Sequence, residues 1–198
     1  MAQTLLYTDR LVMRPLEPEH LDLQLMLDCD AEVMEFVGGP AALKGDVERS
    51  HARRLALGSR VDGLGFWMAF EQDAADDERR EEHGAFVGLM MLPPAHGPDQ
   101  PDDPGVADLG YRLARLSWGR GYGREAAARL LDHAFDTVGL NRVIAQTRSD
   151  NIRSRRLLEA VGMQYVRSFR SLDDTTQGPL DVEYEFDRAV RDAQLRAP

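Results

Sequence analysis

A glycine-rich run between a strand pattern and a helix pattern constrains this chain more than any other feature. The run at 118–125 reads Trp-Gly-Arg-Gly-Tyr-Gly-Arg-Glu and follows an alternating segment at 109–113 that is typical of a strand. Apolar residues at helical spacing follow from Arg124 to Val138. A strand-to-helix turn directs backbone N–H groups and the positive end of a helix dipole at one point. The run therefore predicts a site for a phosphate or pyrophosphate.

Two better-known glycine loops do not fit this run. A P-loop has a Lys followed by Ser or Thr after its last glycine, but the only lysine in the chain is Lys44. The dinucleotide fingerprint has its third glycine three residues after the second, and Arg124 stands at that position. These residue types exclude a P-loop and disfavour a dinucleotide-binding turn.

The run resembles the pyrophosphate loop of the GNAT superfamily of acyl-CoA-dependent N-acetyltransferases, whose usual pattern is Gln/Arg-x-x-Gly-x-Gly/Ala. Gly121 and Gly123 match this pattern, and Trp118 occupies its first position, as it does in the RimJ/RimL branch that acetylates protein N-termini. Three further segments resemble the same branch in the expected order, namely 8–16, 108–111 and 151–163. The last segment has Met163 where most members have Phe.

The resemblance implies an α/β fold, with a central mixed, mostly antiparallel sheet of about 6–7 strands flanked by helices and CoA at a splay between two central strands. The residue patterns predict strands at 5–16, 65–71, 85–92, 109–113, 142–147, 164–170 and 181–186, and helices at 19–29, 46–57, 124–138 and 151–161. We expect a single domain over 1–198, with a polar, frayed tail at 189–198. The proline-rich segment 93–106 predicts a long loop, which is either a lid or a surface insertion.

The same resemblance assigns the binding of acetyl-CoA to the loop, to the end of the fourth strand and to the start of a later helix. The matching positions in this sequence are Leu113, Ala114, Arg115, Gly119, Arg120, Gly121, Tyr122, Gly123, Arg124 and Asn151. Three further arginines, Arg153, Arg155 and Arg156, add positive charge near the expected phosphate site.

Proton transfer needs side chains that the sequence identifies less directly. Many GNAT members place a Tyr seven residues after the Asn of the later helix, but that position is Leu158 here. The RimL-like alternative is a serine three residues after the Asn, and Ser154 stands there. Asp108 and Glu71 are strand carboxylates that could each act as the base, directly or through water. The five histidines lack metal-ligand spacing, so no metal is expected.

The composition of the chain limits the kinds of partner that the protein can bind. A formal net charge of −10 argues against a general nucleic-acid binder, whose affinity comes from Lys and Arg contacts to phosphates. No uninterrupted apolar run is long enough to span a bilayer, so no membrane role is expected. Cys29 is the only cysteine, which excludes an internal disulfide and indicates a reducing, cytoplasmic location.

The predicted reaction is transfer of an acetyl group from acetyl-CoA to a primary amine, by direct attack in a ternary complex. The RimJ/RimL resemblance favours a protein N-terminal amine as the acceptor. A small amine, such as an amino sugar, a polyamine or an amino-acid derivative, is the alternative within the same class. A non-catalytic acyl-CoA-binding sensor is the alternative from another class. A homodimer is compatible with each of these readings.

Overall fold

The computed structural model describes residues 3–37, 42–58, 60–72, 84–95, 97, 99–172 and 178–196. Within these ranges the strands are β1 (Leu6–Tyr7), β2 (Leu11–Pro15), β3 (Gly65–Glu71), β4 (Phe86–Leu92), β5 (Val106–Asp108), β6 (Gly110–Leu113), β7 (Arg142–Arg148), β8 (Gln164–Phe169) and β9 (Asp181–Asp187). The helices are α1 (Leu21–Asp28), α2 (Ala31–Met34), α3 (Lys44–Gly58), α4 (Tyr122–Asp132), α5 (Ile152–Ala160) and α6 (Arg188–Arg196). A π-helical segment at His133–Val138 extends α4.

The strands form two sheets that meet in the middle of the molecule. The first has the order β1-β2-β3-β4-β6, and all of its neighbouring strands are antiparallel. The second has the order β5-β7-β9-β8, in which only β5 and β7 are parallel. This mixed, mostly antiparallel α/β arrangement with flanking helices confirms the predicted fold class.

The two sheets separate at a single residue. Leu109 lies between β5 and β6, and its N–H donates to the carbonyl of Ile144 on β7 at 2.8 Å. The next residue, Gly110, pairs instead with Met91 on β4. The chain therefore leaves one sheet and joins the other, and a wedge opens between β6 and β7. This wedge is the predicted splay.

Alternate side chains of a strand point to opposite faces of its sheet. On the first sheet, the side chains of both faces are buried against helices. On β3, Trp67 and Ala69 pack in the large core with α4, whereas Phe66 and Met68 pack in a smaller cluster with residues of α1 and α3. Helices α1 and α3 thus lie on one side of the wedge. Helix α4 lies on the other side.

The first predicted strand is two strands in the structure. The segment 5–16 is interrupted after Tyr7, where the Thr8 hydroxyl accepts the N–H of Leu11 at 2.9 Å. The N–H of Arg10 then donates to Glu125 of α4 at 2.9 Å. The turn is therefore fixed by a contact from a distant helix, which the local pattern does not contain.

The chain end also differs from the expected frayed tail. Residues 188–196 form α6, and the guanidinium of Arg191 forms ion pairs with Asp136 at 2.6 Å and Asp132 at 3.0 Å. Val190 packs against the large core. The helix is held by two arginines, Arg188 and Arg191, and one apolar side chain, which is too short a pattern to show in the sequence.

Candidate functional site

The glycine-rich loop has the backbone geometry that an anion site requires. Gly119 and Gly121 have φ angles of 72° and 84°, which only glycine adopts without strain. Gly121 caps α4, and its carbonyl accepts the N–H of Glu125 at 3.1 Å. The N–H groups at 122–124 have no acceptor within the helix, because the first N–H groups of any helix lack one. These donors and the helix dipole converge at the loop.

Gly123 serves a different purpose, which is close packing. A Cβ atom at this position would lie 2.9 Å from Leu157 Cδ1 of α5 and 3.0 Å from Leu113 Cδ1 of β6. The absence of a side chain therefore lets the start of α4 approach both the wedge strand and α5.

Two side chains of the loop form contacts that stabilise the loop itself. The Arg120 guanidinium forms an ion pair with Glu71 at 2.6 Å, and its Cζ lies 4.7 Å from the centre of the Tyr122 ring. Arg10 lies at the same 4.7 Å distance from that ring. Burial and the hydrogen bond of its hydroxyl to Glu71 raise the pKa of Tyr122. Arg120 and Tyr122 thus mainly stabilise the conformation of the loop.

Glu71 lies beside the glycine-rich loop and away from the cavity described below. It is the last residue of β3, beside the loop, and its carboxylate is paired with Arg120. Phe66, near the opposite end of the same strand, lines the cavity described below. Five residues of extended chain separate these two positions, which is roughly 17 Å. The structure therefore does not bring Glu71 together with Asp108.

The backbone of β6 offers hydrogen-bonding groups to the wedge at alternate residues. Ala114 N–H donates to Val87 on β4 at 3.0 Å, whereas Leu109 N–H donates towards β7. Because backbone groups alternate along a strand, those of Tyr111 and Leu113 point into the wedge. The Leu113 carbonyl accepts the Trp118 indole N–H at 2.9 Å.

At two of the predicted cofactor positions the structure shows contacts with other parts of the protein. The N–H of Ala114 is used within the sheet, so it is not directed at a ligand in the wedge. The Arg115 side chain turns towards the α2 region, where it pairs with Asp30 at 2.8 Å and Glu32 at 2.5 Å. Leu113 remains in a suitable position, and Tyr111 joins it.

Ser154 and Tyr111 meet on the α5 side of the wedge. The Ser154 Oγ and Tyr111 Oη atoms lie 2.9 Å apart. Asn151 caps α5 by accepting the Ser154 N–H at 3.1 Å, which fixes the first turn that carries the serine. Burial raises the pKa of Tyr111 to about 12. Both hydroxyls are therefore protonated near neutral pH and can share or pass a proton.

Leu158 explains why the common tyrosine is absent from α5. Its side chain is only 2% exposed and belongs to the large core. A phenol there would bury a hydroxyl among apolar groups, which is unfavourable without a partner. The phenol of this site comes instead from β6.

The arginines near the loop divide into two groups. Arg155 is structural, because it donates to the Tyr184 hydroxyl at 3.2 Å and to the Ser149 carbonyl at 3.1 Å. Arg153 lies over the Trp118 ring, with Cζ 5.5 Å from the ring centre. Arg153, Arg124 and Arg156 are exposed. Those three are the candidates for phosphate contacts.

A cavity of about 520 Å³ opens on the opposite side of the wedge, beneath α3. Polar, apolar and charged side chains line it: Ser50, Arg53, Arg54, Ala56, Leu57, Arg60, Phe66, Met91, Pro93, Asp108 and Gly110. Asp108 Oδ2 accepts the Gln100 amide N–H at 2.8 Å. Because Asp108 and Gly110 flank the residue where the sheets separate, the cavity lies beside the wedge.

The sequence-based predictions did not include Tyr111 or the arginines of the cavity lining. Tyr111 shares a strand face with Leu113, so its alternation signal was present, but its pairing with Ser154 joins positions 43 residues apart. Arg53, Arg54 and Arg60 resemble an ordinary solvated helix face in the sequence. Only the packing of α3 and of the turn that follows it brings them to the cavity.

The described ranges contain no group of three or more His, Cys, Asp or Glu side chains able to hold a metal ion. His83 and His96 lie outside those ranges. Among the helices of the described residues, none is long and apolar enough to cross a membrane.

Comparison with known proteins identifies the family. Residues 10–164 match the family model of the Acetyltransferase (GNAT) domain. The FsC-acetyl coenzyme A-N(2)-transacetylase of Aspergillus fumigatus is 30% identical over 177 residues, which are 88% of this chain and 71% of that protein.

Solved structures show the same fold. An acetyltransferase from Agrobacterium tumefaciens has a TM-score of 0.73 at 24% identity, covering 95% of this chain and 96% of that one. The ribosomal L7/L12 α-N-protein acetyltransferase RimL, solved in complex with coenzyme A, has a TM-score of 0.72 at 16% identity, covering 93% and 98%. The chain therefore belongs to the GNAT family of acetyltransferases, enzymes that use acetyl-CoA as co-substrate to acetylate amines.

Proposed function

We propose that this enzyme acetylates a small-molecule primary amine that enters through the cavity beside Asp108. The observation that supports this proposal is the cavity itself, whose volume of about 520 Å³ is within the usual range for small-molecule sites. It approaches the wedge from the α3 side, whereas the loop and the Ser154–Tyr111 pair lie on the α4 and α5 side. Acceptor and acetyl-CoA thus reach the wedge from opposite sides.

Asp108 is the proposed base on the acceptor side. An amine must be unprotonated to attack a thioester, and a carboxylate beside the entry path can take its proton directly or through water. Asp108 lines the cavity two residues before β6 continues into the wedge. Glu71 has no such position, so we assign it no part in proton removal.

The wedge backbone is proposed to stabilise the carbonyl oxygen as it gains negative charge. Backbone N–H groups aimed at a developing charge need no reorganisation during the reaction. Tyr111 and Leu113 are the β6 residues whose backbone groups point this way, and the N–H groups at the start of α4 bind the pyrophosphate in the same proposal.

The Ser154–Tyr111 pair is the proposed source of the proton for the departing thiolate. As the new N–C bond forms, the C–S bond breaks, and the sulfur takes a proton from the Ser154 hydroxyl. Tyr111, 2.9 Å away, can then return a proton to the serine oxygen. Asp108 passes the proton of the incoming ammonium to solvent, and the second proton, which the nitrogen loses as the amide forms, balances the one given to the sulfur. Solvent then restores the proton of Tyr111.

Release of free CoA thiol from acetyl-CoA tests this function, using a panel of small amines and short peptides. We expect acceptor-dependent release. Asp108→Asn and Ser154→Ala should each lower kcat by roughly 10²-fold, which is the lower end for lost acid–base catalysis. Glu71→Gln is the matched carboxylate control and should retain kcat. Unchanged turnover in both Asp108→Asn and Ser154→Ala would contradict the assigned roles.

A protein N-terminal amine is the second candidate acceptor. Trp118 at the start of the glycine-rich loop is the feature that favours it, because it is the residue in which the loop resembles the RimJ/RimL branch. RimL, whose solved structure shares the fold, is described as an α-N-protein acetyltransferase. Turnover confined to the peptides of the panel would select this candidate.

A further inference from the structure

The acceptor cavity is positively charged in a protein that is strongly acidic overall. Its lining contains three arginines, Arg53, Arg54 and Arg60, against one carboxylate, Asp108. The whole chain has a formal net charge of −10. A concentration of one charge sign inside a cavity, opposite to that of the protein, selects ligands of the other sign.

A buried charge cluster with a surplus guanidinium adjoins the cavity through Arg54. Asp28 of α1 accepts hydrogen bonds from Arg112 Nη1 at 2.5 Å and from Arg54 Nη1 at 3.3 Å. One carboxylate therefore compensates two guanidinium groups, and all three side chains are at most 12% exposed. Arg112 Nε is buried without a hydrogen-bond partner among the described residues. Such an uncompensated buried charge is costly unless an anion completes it.

Arg54 is the residue that connects this buried cluster to the cavity. Desolvation by burial and the neighbouring charge of Arg112 lower its pKa to about 10. It is therefore still charged at neutral pH. Asp28 engages only Nη1 in the described structure, so the rest of the planar fork remains for a ligand. A guanidinium fork matches the geometry of a carboxylate.

Arg53 and Arg60 stand at the open side of the cavity. Both are exposed, and within the described ranges neither forms an ion pair with a carboxylate. Arg49, one turn earlier on α3, is paired with Asp46 and does not line the cavity. The exposed arginines that line the cavity are thus ones that no carboxylate neutralises within the described ranges.

We propose that the acceptor carries a carboxylate on the same molecule as its reactive amine, with the three arginines of the cavity lining binding the carboxylate while Asp108 receives the amine. This inference rests on the proposed acetylation of a small amine. It selects amino-acid-like acceptors from the candidates and disfavours polyamines, because a second ammonium group would face Arg53, Arg54 and Arg60.

Matched acceptors test the proposal. Glycine, β-alanine, 4-aminobutanoate and 5-aminopentanoate are each compared with their carboxamides, together with cadaverine and a peptide of acidic N-terminal sequence. For the best-fitting pair, kcat/KM should favour the carboxylate by about tenfold or more, since hydrogen bonds to charged groups discriminate by at least that factor. Equal or faster turnover of the carboxamides or of cadaverine would overturn the proposal, and so would turnover of the peptide alone.

Variants of the arginines test which side chains produce the preference for a carboxylate over a carboxamide. In Arg53→Gln/Arg60→Gln, whose substituted side chains are exposed, the carboxylate preference should fall to about threefold or less through KM, with kcat retained. Arg49→Gln removes the same charge from the same helix and should keep the full preference. An unchanged preference in the double variant, together with normal folding, would place anion recognition elsewhere.

A binding experiment separates failure of this inference from failure of the proposed function. If no amine in the panel causes CoA release, the proposed function fails. Calorimetry with glutarate in the presence of CoA then judges the cavity alone. Binding to the wild type that is weakened about tenfold in the double variant supports the anion site, and absence of binding refutes it.

Discussion

The hydroxyl of Tyr111 on β6 lies 2.9 Å from the hydroxyl of Ser154 on α5. This contact links β6 to α5 through a phenol whose pKa is raised by burial to about 12. In the proposed mechanism, a serine on the helix and a tyrosine from the neighbouring strand take the place of the helix tyrosine that many GNAT members have. Both oxygens are protonated at neutral pH, so the pair holds a proton that it can supply, and solvent must then replace that proton.

Tyr111→Phe tests whether the phenol takes part in proton transfer. The substitution retains the ring and removes only the hydroxyl, so packing in the large core should be preserved. We expect kcat to fall by roughly 10- to 100-fold with little change in the KM for acetyl-CoA. Tyr165→Phe, an exposed tyrosine of β8, is the control and should leave kcat unchanged. A normal kcat in Tyr111→Phe would leave Ser154 acting alone.

The pH profile of the wild-type enzyme gives a second check on Tyr111. Because burial raises its pKa from 10.0 to about 12, the phenol should stay protonated when an ordinary tyrosine would ionise. We therefore expect no loss of kcat attributable to this tyrosine between pH 9 and 10. A basic limb at about pH 10 that disappears in Tyr111→Phe would show that the phenol is less buried than the structure indicates.

Asp28→Asn tests the buried charge cluster. The substitution leaves Arg54 and Arg112 without their shared carboxylate, and removing one partner of a buried ion pair typically costs about 3–5 kcal/mol. Urea unfolding should show this loss as a lower midpoint with an unchanged slope. Asp46→Asn breaks an exposed pair with Arg49 and should cost under about 1 kcal/mol. Equal costs for the two variants would contradict the burial of the cluster.

Local patterns predicted most of the elements, but several features of the site depend on contacts between distant residues. The glycine-rich loop and the strand before it are adjacent in sequence, so their geometry was predictable from residue type and spacing. The Asp28–Arg112 pair joins positions 84 residues apart, and no local pattern connects them. The same holds for Glu71, whose strand was predicted correctly but whose partner, Arg120, shows that it faces the loop.

Gly121→Ala tests the loop conformation. Gly121 has a φ of 84°, in which an alanine is strained by roughly 1–2 kcal/mol. Relieving that strain would move the backbone N–H groups at the start of α4, so we expect a clearly higher KM for acetyl-CoA. Gly139 has a φ of 85° at the far end of the same helical segment, and Gly139→Ala should cost similar stability. Isothermal titration with CoA should show weaker binding in the loop variant alone.

Histidine burial should make stability depend on pH in a defined window. His133 is 1% exposed, and its Nε2 lies 2.7 Å from the Gly63 carbonyl, while Nδ1 is buried without a partner in the described structure. A second proton would therefore be buried without an acceptor. Burial, with a smaller contribution from the charge of Arg129, lowers the pKa of His133 below its ordinary 6.5, and burial does the same for His51.

The sign of this effect follows from proton binding. Between the lowered folded pKa and 6.5 the unfolded chain binds more protons than the folded one, so stability rises with pH in that window. The full contribution is present above about pH 6.5 and is lost as the pH falls through the folded value. His133→Gln can still donate to Gly63 without titrating, so its urea midpoint should fall less steeply between pH 7 and 5 than that of the wild type. Parallel curves for the two proteins would show that His133 protonates as readily in the folded state as in the unfolded state.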